Sequence, residues 1–278
     1  MISGDTIRAM AARNSIHPGV IEKDYVLSKA LTAIAQSDLA KAALVFKGGT
    51  ALKKCYYPTW RYSEDLDFTA SRMLSPAQIH RLFQEVASSV GTTFGLPLRV
   101  SEYSQYPKDT DRIASAQLKL SYDGPLRQSS GQKNNIRIDV ALDETVVLEP
   151  VPRSVFQEYA DDIEVAVAVY PLEEIVAEKL RSIIQRGKSR DYYDVWVLLK
   201  KHATDYDRQR TKATFLEKCR AKAIPEPTMA RFFDDERLQE AETYWERGLR
   251  HQVADLVVFQ TMIAELRSRI SDLIDGGK

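Results

Sequence analysis

A chain of 278 residues is long enough for one large domain or two modest ones, and it buries a core without disulfide staples. Its 39 Lys and Arg balance 39 Asp and Glu, so the formal net charge is zero; this excludes a bulk-charge drive toward nucleic acid and leaves any RNA contact to local basic patches. Cys55 and Cys219 fall in no metal-type spacing and read as reduced thiols, the first residues carry no apolar signal segment, and no run approaches a membrane span, so a cytoplasmic location with no membrane partner is expected.

His17-Pro18 opens a helix over residues 17–36, with Val20, Ile21, Leu27, Leu31 and Ile34 on an apolar stripe and the charges of Glu22, Lys23 and Asp24 expected on a solvated face. Ala43-Leu44-Val45-Phe46 reads as a buried strand. At Gly48 and Gly49 a backbone without side chains can approach a phosphate closely, and Thr50 is the expected cap of the next helix, whose free N–H groups point the same way. Residues i and i+2 of an extended strand leave the same face, so Asp65 and Asp67 aim two carboxylates at one point while Leu66 and Phe68 anchor the other side. Paired carboxylates make a hard, oxygen-rich site suited to Mg²⁺. Ser63 is expected on the same strand face, where a phosphate would add about −2 charges beside those acids.

Ser75 and Pro76 start a helix that ends between Gly91 and Gly95. Alternating runs follow at 98–103, 116–122 and 136–142, the last two expected to pair as an antiparallel ribbon across a polar loop, 123–135. In the third run Ile138, Val140 and Leu142 share one face and Arg137 and Asp139 the other. A further β-type run covers 164–169, and the period changes at Pro171 to a helical stripe of Leu172, Ile175, Val176, Leu180, Ile183 and Ile184. Lys179 falls inside that stripe; an inward lysine must snorkel or find an anion, and a triphosphate is the expected one. Ser189 is the expected cap of a helix on which Asp191 and Asp194 face inward, either as complements to its N-terminus paired with Lys188 or Arg190 or as members of a site. Beyond residue 205 only helices are expected, at 215–224, 238–249 and 253–274. There Arg208, Arg210, Lys212, Lys218, Arg220 and Lys222 read either as an RNA-facing surface or as a solvated face.

Gly48-Gly49-Thr50 and then Ser63-Glu64-Asp65-Leu66-Asp67-Phe68 resemble the first motif of the DNA polymerase β-type nucleotidyltransferases, as it occurs in the AbiEii/MenT-type toxins of bacterial abortive-infection and toxin–antitoxin systems. Ile21-Glu22-Lys23-Asp24-Tyr25 resembles the usual entry of those toxins. Glu178-Lys179-Leu180, followed by Arg186-Gly187-Lys188-Ser189-Arg190-Asp191 and Asp194, resembles their third motif; the similarity spans roughly residues 20 to 200.

The resemblance implies an α+β fold: a polymerase β-like core, a mixed sheet flanked by helices, over residues 1–170, then a helical bundle over 171–278 carrying Lys179 and the Arg190/Asp191/Asp194 motif. It implies that Asp139 joins Asp65 and Asp67 from a neighbouring strand as metal ligands for Mg²⁺ or Mn²⁺, in a two-ion arrangement with a spacing of roughly 3.5–4 Å. Gly48, Gly49 and Thr50 would then cradle the phosphates of an NTP that Lys179 neutralises. Asp194 would orient Lys179, and Ser63, Lys188, Arg190 and Asp191 would complete the nucleotide pocket. The implied activity is transfer of NMP from NTP to RNA, at the 3′ end of tRNA, which inhibits translation, and the implied protein partner is a cognate antitoxin encoded nearby. A non-catalytic nucleotide-sensing or RNA-binding module and a protein-AMPylating transferase are the alternatives. No Gly-Lys-Ser/Thr follows the glycines, and no zinc-type His or Cys spacing or Gly-x-Ser-x-Gly occurs, which excludes Walker, zinc and hydrolase readings.

Overall fold

Short runs of alternating apolar residues pair into one seven-stranded mixed sheet in the computed structural model, which describes residues 1–107, 113–127 and 134–275. The strands are β1 (Leu44–Lys47), β2 (Asp65–Ala70), β3 (Leu98–Tyr106), β4 (Ser115–Tyr122), β5 (Asn134–Ala141), β6 (Val151–Ser154) and β7 (Ala166–Val169), in the spatial order β3-β4-β5-β2-β1-β7-β6. With the sheet go α1 (Gly4–Asn14), α2 (Pro18–Gln36), α3 (Asp38–Ala43), α4 (Gly48–Ala51, running on into a π-helical turn, Leu52–Tyr56) and α5 (Pro76–Phe94). The helices α6 (Leu172–Gln185), α7 (Ser189–Lys201), α8 (Arg208–Ala221), α9 (Met229–Phe232), α10 (Asp235–Thr243), α11 (Trp245–Leu249) and α12 (Phe259–Asp275) follow. Two compact units result, one of residues 1–146 with 150–169, the other of 147–149 with the chain from Tyr170 onward. Among the described residues no helix is long and apolar enough to cross a membrane.

In the first unit the expected ribbon of β4 and β5 is antiparallel, and β5 runs parallel to β2. Residues 128–133 of the loop between β4 and β5 lie outside the described residues. Leu66, Phe68, Ile136, Ile138 and Val140 are buried on one side of these strands, where α2 and α5 pack. α5 is bounded as its sequence demands: the Ser75 hydroxyl accepts from the Gln78 N–H, the Gln78 side chain accepts from the Ser75 N–H, and Gly95 closes the helix at φ +62°.

The structure departs from the sequence pattern at several positions. α2 has no solvated charged face of the kind expected, because Glu22, Asp24 and Lys29 are all buried. The chain at 156–162 and the π-helical turn bring them partners. Lys54 Nζ lies 2.6 Å from Asp24 Oδ2 and also pairs with Glu158; the Tyr159 hydroxyl donates to Asp24 at 2.7 Å, and Lys29 lies 2.7 Å from both Asp161 and Asp162. Burial pushes the Asp24 carboxyl up, but the ammonium groups of Lys54 and Lys53 outweigh it and hold the group below the usual range. Glu22 accepts from the Leu126 N–H at 2.7 Å and so anchors the chain that follows β4. Thr50 is not a cap: α4 begins at Gly48, and the Thr50 hydroxyl donates to the Asp65 carbonyl. β2 begins at Asp65, so Ser63 precedes the strand, and the run at 164–169 is a strand only from Ala166. The edge strand β6, four residues including Pro152, was not expected.

In the second unit the Ser189 hydroxyl donates to the Ala241 carbonyl at 2.8 Å and caps nothing; Lys188 takes the N-cap position. The expected helix at 238–249 breaks at Tyr244, and that at 253–274 begins at Phe259. Lys218 is removed from the expected basic surface. It is fully buried, 2.9 Å from Glu174, whose carboxylate also accepts from the Val147 and Leu148 N–H groups. Arg208, Arg210 and Arg220 stay exposed.

The buried pair of Asp24 and Lys54 generates a prediction. Lys54→Met leaves a carboxylate uncompensated and costs about 3–5 kcal/mol of stability in urea denaturation. Adding Asp24→Asn recovers part of that loss, and additive losses from the two substitutions would contradict the pairing.

Candidate active site on the sheet face

At the end of β1 the chain turns at Gly48 with φ +82°, a backbone conformation that side-chain-bearing residues rarely adopt. A Cβ built there would lie 2.2 Å from Asp67 Oδ2, so the turn and the carboxylate share space that only glycine leaves open. At Gly49 a Cβ would lie 3.3 Å from the Ser63 hydroxyl and 3.3 Å from the Arg61 guanidinium, which places Ser63, itself buried, against the turn. The bond from Thr50 to the Asp65 carbonyl ties the turn to the first residue of β2.

Asp65 and Asp67 leave β2 opposite the buried Leu66 and Phe68. In the parallel ladder Asp67 stands across from Asp139 and Asp65 across from Arg137, so the three acids occupy one face of two adjacent strands, about 4.8 Å apart. Lys47 stands across from Asp67 on the other side, and Gln117 across from Asp139 on β4. Burial first, then the charges of Asp67 and Asp65, push the Asp139 carboxyl up to about 6; Arg137 and a hydrogen bond from Gln117 oppose the rise.

Arg137 is the member of this face that no sequence pattern singles out for a role. Its Nε lies 2.9 Å from Asp65 Oδ1, and the Asp65 charge raises the guanidinium's proton affinity. Among the described residues no three acidic, histidine or cysteine side chains converge as a ready-made metal cage, and Asp65 is held by Arg137 instead. The chemistry of the face still suits a hard cation. Its acidic donors are all oxygens, from Asp65, Asp67 and Asp139, and the Asp139 carboxyl, raised first by burial and then by the charges of Asp67 and Asp65, is one that a divalent ion would relieve.

The remaining predicted residues lie in the second unit. Lys179 Nζ is 2.7 Å from Asp194 Oδ2, and Asp194 is fully buried, so the anion that the inward lysine finds is a carboxylate of the chain itself. Asp191, expected to pair with Lys188 or Arg190, instead takes a two-pronged contact from Arg186, 2.9 Å on each oxygen, and accepts the Lys188 N–H at 3.2 Å. Lys188 and Arg190 line a cavity with Ser189, Glu240, Ala241, Tyr244 and Gly248.

A family model described as "Nucleotidyl transferase AbiEii toxin, Type IV TA system" matches residues 29–265. Among solved structures, the nucleotidyltransferase toxin MenT4 of Mycobacterium tuberculosis H37Rv superposes with a TM-score of 0.70 at 18% identity, covering 99% of this chain and 90% of that one, which shows a common fold. An antigenic nucleotidyltransferase-like protein from Paracoccidioides brasiliensis aligns loosely, with a TM-score of 0.31 at 14% identity over 86% of this chain and 92% of that one. No curated protein matches.

Two predictions follow from the sheet face. A carboxyl that holds its proton more tightly in the folded than in the unfolded chain favours folding at low pH, and that contribution is lost as pH rises through about 6. Asp139→Asn therefore raises stability to urea by about 1–3 kcal/mol at pH 7.5 without divalent cations, and the gain fades as pH falls toward 4. Gly48→Ala displaces Asp67 and lowers transfer at least about tenfold. Gly95→Ala, at φ +62° with nothing within 4 Å of its Cβ, costs stability only, about 1–2 kcal/mol by thermal melting.

Proposed function

The chain belongs to the AbiEii family of nucleotidyl transferase toxins of type IV toxin–antitoxin systems, and from that premise we propose that it moves NMP from an NTP to an RNA acceptor, the 3′ end of tRNA, and so stops translation. The observation that carries this reading is the parallel register of Asp67 with Asp139, on the face where the Gly48 turn presses against Asp67. In the transfer the acceptor hydroxyl oxygen bonds to the α-phosphorus, the bond to the β-phosphate oxygen breaks, and its electron pair leaves with pyrophosphate. The hydroxyl proton goes to a carboxylate of this face, and Asp139, across from Asp67 in the parallel ladder, is the acid proposed to take it. Gly48, Gly49 and Thr50 present backbone N–H groups to the phosphates, with Ser63 beside them. Asp65, Asp67 and Asp139 would hold Mg²⁺, or Mn²⁺, which supplies activation of the attacking hydroxyl and neutralisation of the leaving pyrophosphate.

Asp65 would hold the ion only if it let go of the Arg137 guanidinium, which would leave Arg137 to an anion of the substrate. Lys179 carries the positive charge that resemblance assigns to the triphosphate. Asp194 holds its ammonium in place, while Arg186 and Asp191 fix the start of α7 behind it. The antitoxin that the family implies restrains an activity that is harmful to the cell.

The test incubates the pure protein with each α-labelled NTP, Mg²⁺ and total tRNA, beside an Asp65→Ala/Asp67→Ala control. Label is expected in RNA, lost by at least about a hundredfold in the control and in Lys179→Met. Label in protein, or none at all, contradicts the reading.

A further inference from the structure

The cavity beside the start of α7 has no part in the transfer chemistry above, yet its lining is chemically specific. It measures about 340 Å³ and is bounded by Lys188, Ser189 and Arg190 on one side and by Glu240, Ala241, Tyr244 and Gly248 on the other. That volume is at the small end of ligand-binding cavities and is of the size of one nucleotide.

The cations here differ from their neighbours in one respect. Arg186 is neutralised by Asp191 and Lys179 by Asp194, whereas among the described residues no carboxylate pairs with the side chain of Lys188 or Arg190. Arg190 is moreover half-buried, where an unpaired guanidinium is costly and a bound anion would stabilise it. Tyr244 is 50% exposed at the rim and stacks on no other ring among the described residues, whereas the ring of the next residue, Trp245, meets those of Tyr193 and Phe259 at tilted and edge-on angles. Gly248 adds an open wall: a Cβ built there meets nothing within 4 Å.

We infer that this cavity is a subsite for one unpaired nucleotide of the RNA acceptor strand; the inference rests on the RNA-directed transfer proposed above and names where the strand is gripped. Arg190 and Lys188 take the phosphodiester, Tyr244 stacks on the base, and Glu240 accepts from the exocyclic amine of adenine or cytosine. The charge balance selects RNA over a second NTP. Two cations against one carboxylate leave about one net positive charge, which matches a phosphodiester monoanion and falls short of a triphosphate, and the lone Glu240 is a poor seat for the metal a triphosphate would bring.

The probe is a 5′-fluorescein single-stranded oligoribonucleotide of about eight nucleotides ending in CCA-3′, followed by anisotropy in EDTA without NTP. Tyr244→Ala is expected to weaken binding about five- to hundredfold, with Tyr244→Phe close to wild type. Gly248→Leu, which fills the cavity from an open position and sits in a helix, is expected to weaken binding at least about tenfold with an unchanged melting temperature. Arg190→Gln is expected to lower the salt slope by about one. In the transfer assay Tyr244→Ala and Gly248→Leu raise KM for RNA and leave KM for the NTP as it was. Failure of the wild-type protein to bind the probe, or equal binding by wild type, Tyr244→Ala and Gly248→Leu, overturns the subsite. If transfer to RNA persists in those variants with an unchanged KM, the subsite falls and the proposed transfer stands; label found only in protein removes the transfer itself.

Discussion

The carboxylate of Asp67 occupies the volume that a side chain at position 48 would fill. Much of the sheet face depends on that exclusion. Since residue 48 lacks a Cβ, β1 can end in a left-handed turn directly against β2, and the backbone of 48 and 49 lies beside an acid instead of being fended off by one. Since Asp67 is pinned there, the parallel register with β5 puts Asp139 across from it. A substitution at one glycine would thus move the acid, the turn and the pairing of charges together.

A face that gathers like charges is costly, and the unit offsets the cost by binding its other charges internally. The turn leads straight into Lys53 and Lys54, whose ammonium groups are buried and held by Glu158 and, for Lys54, by Asp24 of α2. These pairs fix the helix after the turn to α2 and to the chain at 156–162, so the peptide that presents Gly48 and Gly49 is braced from behind. Arg137 does the same for Asp65 on the open side. Such pairs add little net stability compared with apolar packing, and their value is in specifying one geometry, a role attested for buried polar groups in some proteins.

The fold is legible in the chain where a period is strong. Leu66, Phe68, Ile138 and Val140 alternate, so β2 and β5 are readable with the acids on their far face, and Ser75-Pro76 with Gly95 delimits α5 almost to the residue. The family motifs direct attention to the acids and the glycine pair, and the parallel pairing that puts Asp139 beside them needs the structure. What escapes is long-range. Glu22, Asp24 and Lys29 look like a wet face because nothing local shows that Glu158, Asp161, Asp162 and Leu126 return to meet them. Arg137 looks like a surface cation because its partner is 72 positions away and is defined only by register. Thr50 and Ser189 have the right residue type for caps and the wrong place, since the Asp65 and Ala241 carbonyls draw their hydroxyls elsewhere. Edge strand β6 is short, mostly exposed and carries a proline, so it has no period to read.

Net neutrality constrains how such a chain can hold RNA at all. With 39 charges of each sign it cannot rely on a broad positive field or on releasing many counterions, and Lys218, one of the cations that the C-terminal pattern suggested for that purpose, is spent on Glu174. At the proposed subsite affinity then comes from a few short-range contacts: stacking on an exposed ring and one or two phosphates met by cations that have no carboxylate partner among the described residues. Around α7 the acids are placed accordingly. Asp191 and Asp194 neutralise Arg186 and Lys179 and lock the helix start, while Lys188 and Arg190, close to them in sequence, meet no carboxylate among the described residues. Recognition of that kind is weakly salt-dependent and local, and it discriminates by the shape of an unpaired end instead of by the charge of a duplex, which is what the proposed transfer to a 3′ terminus would require.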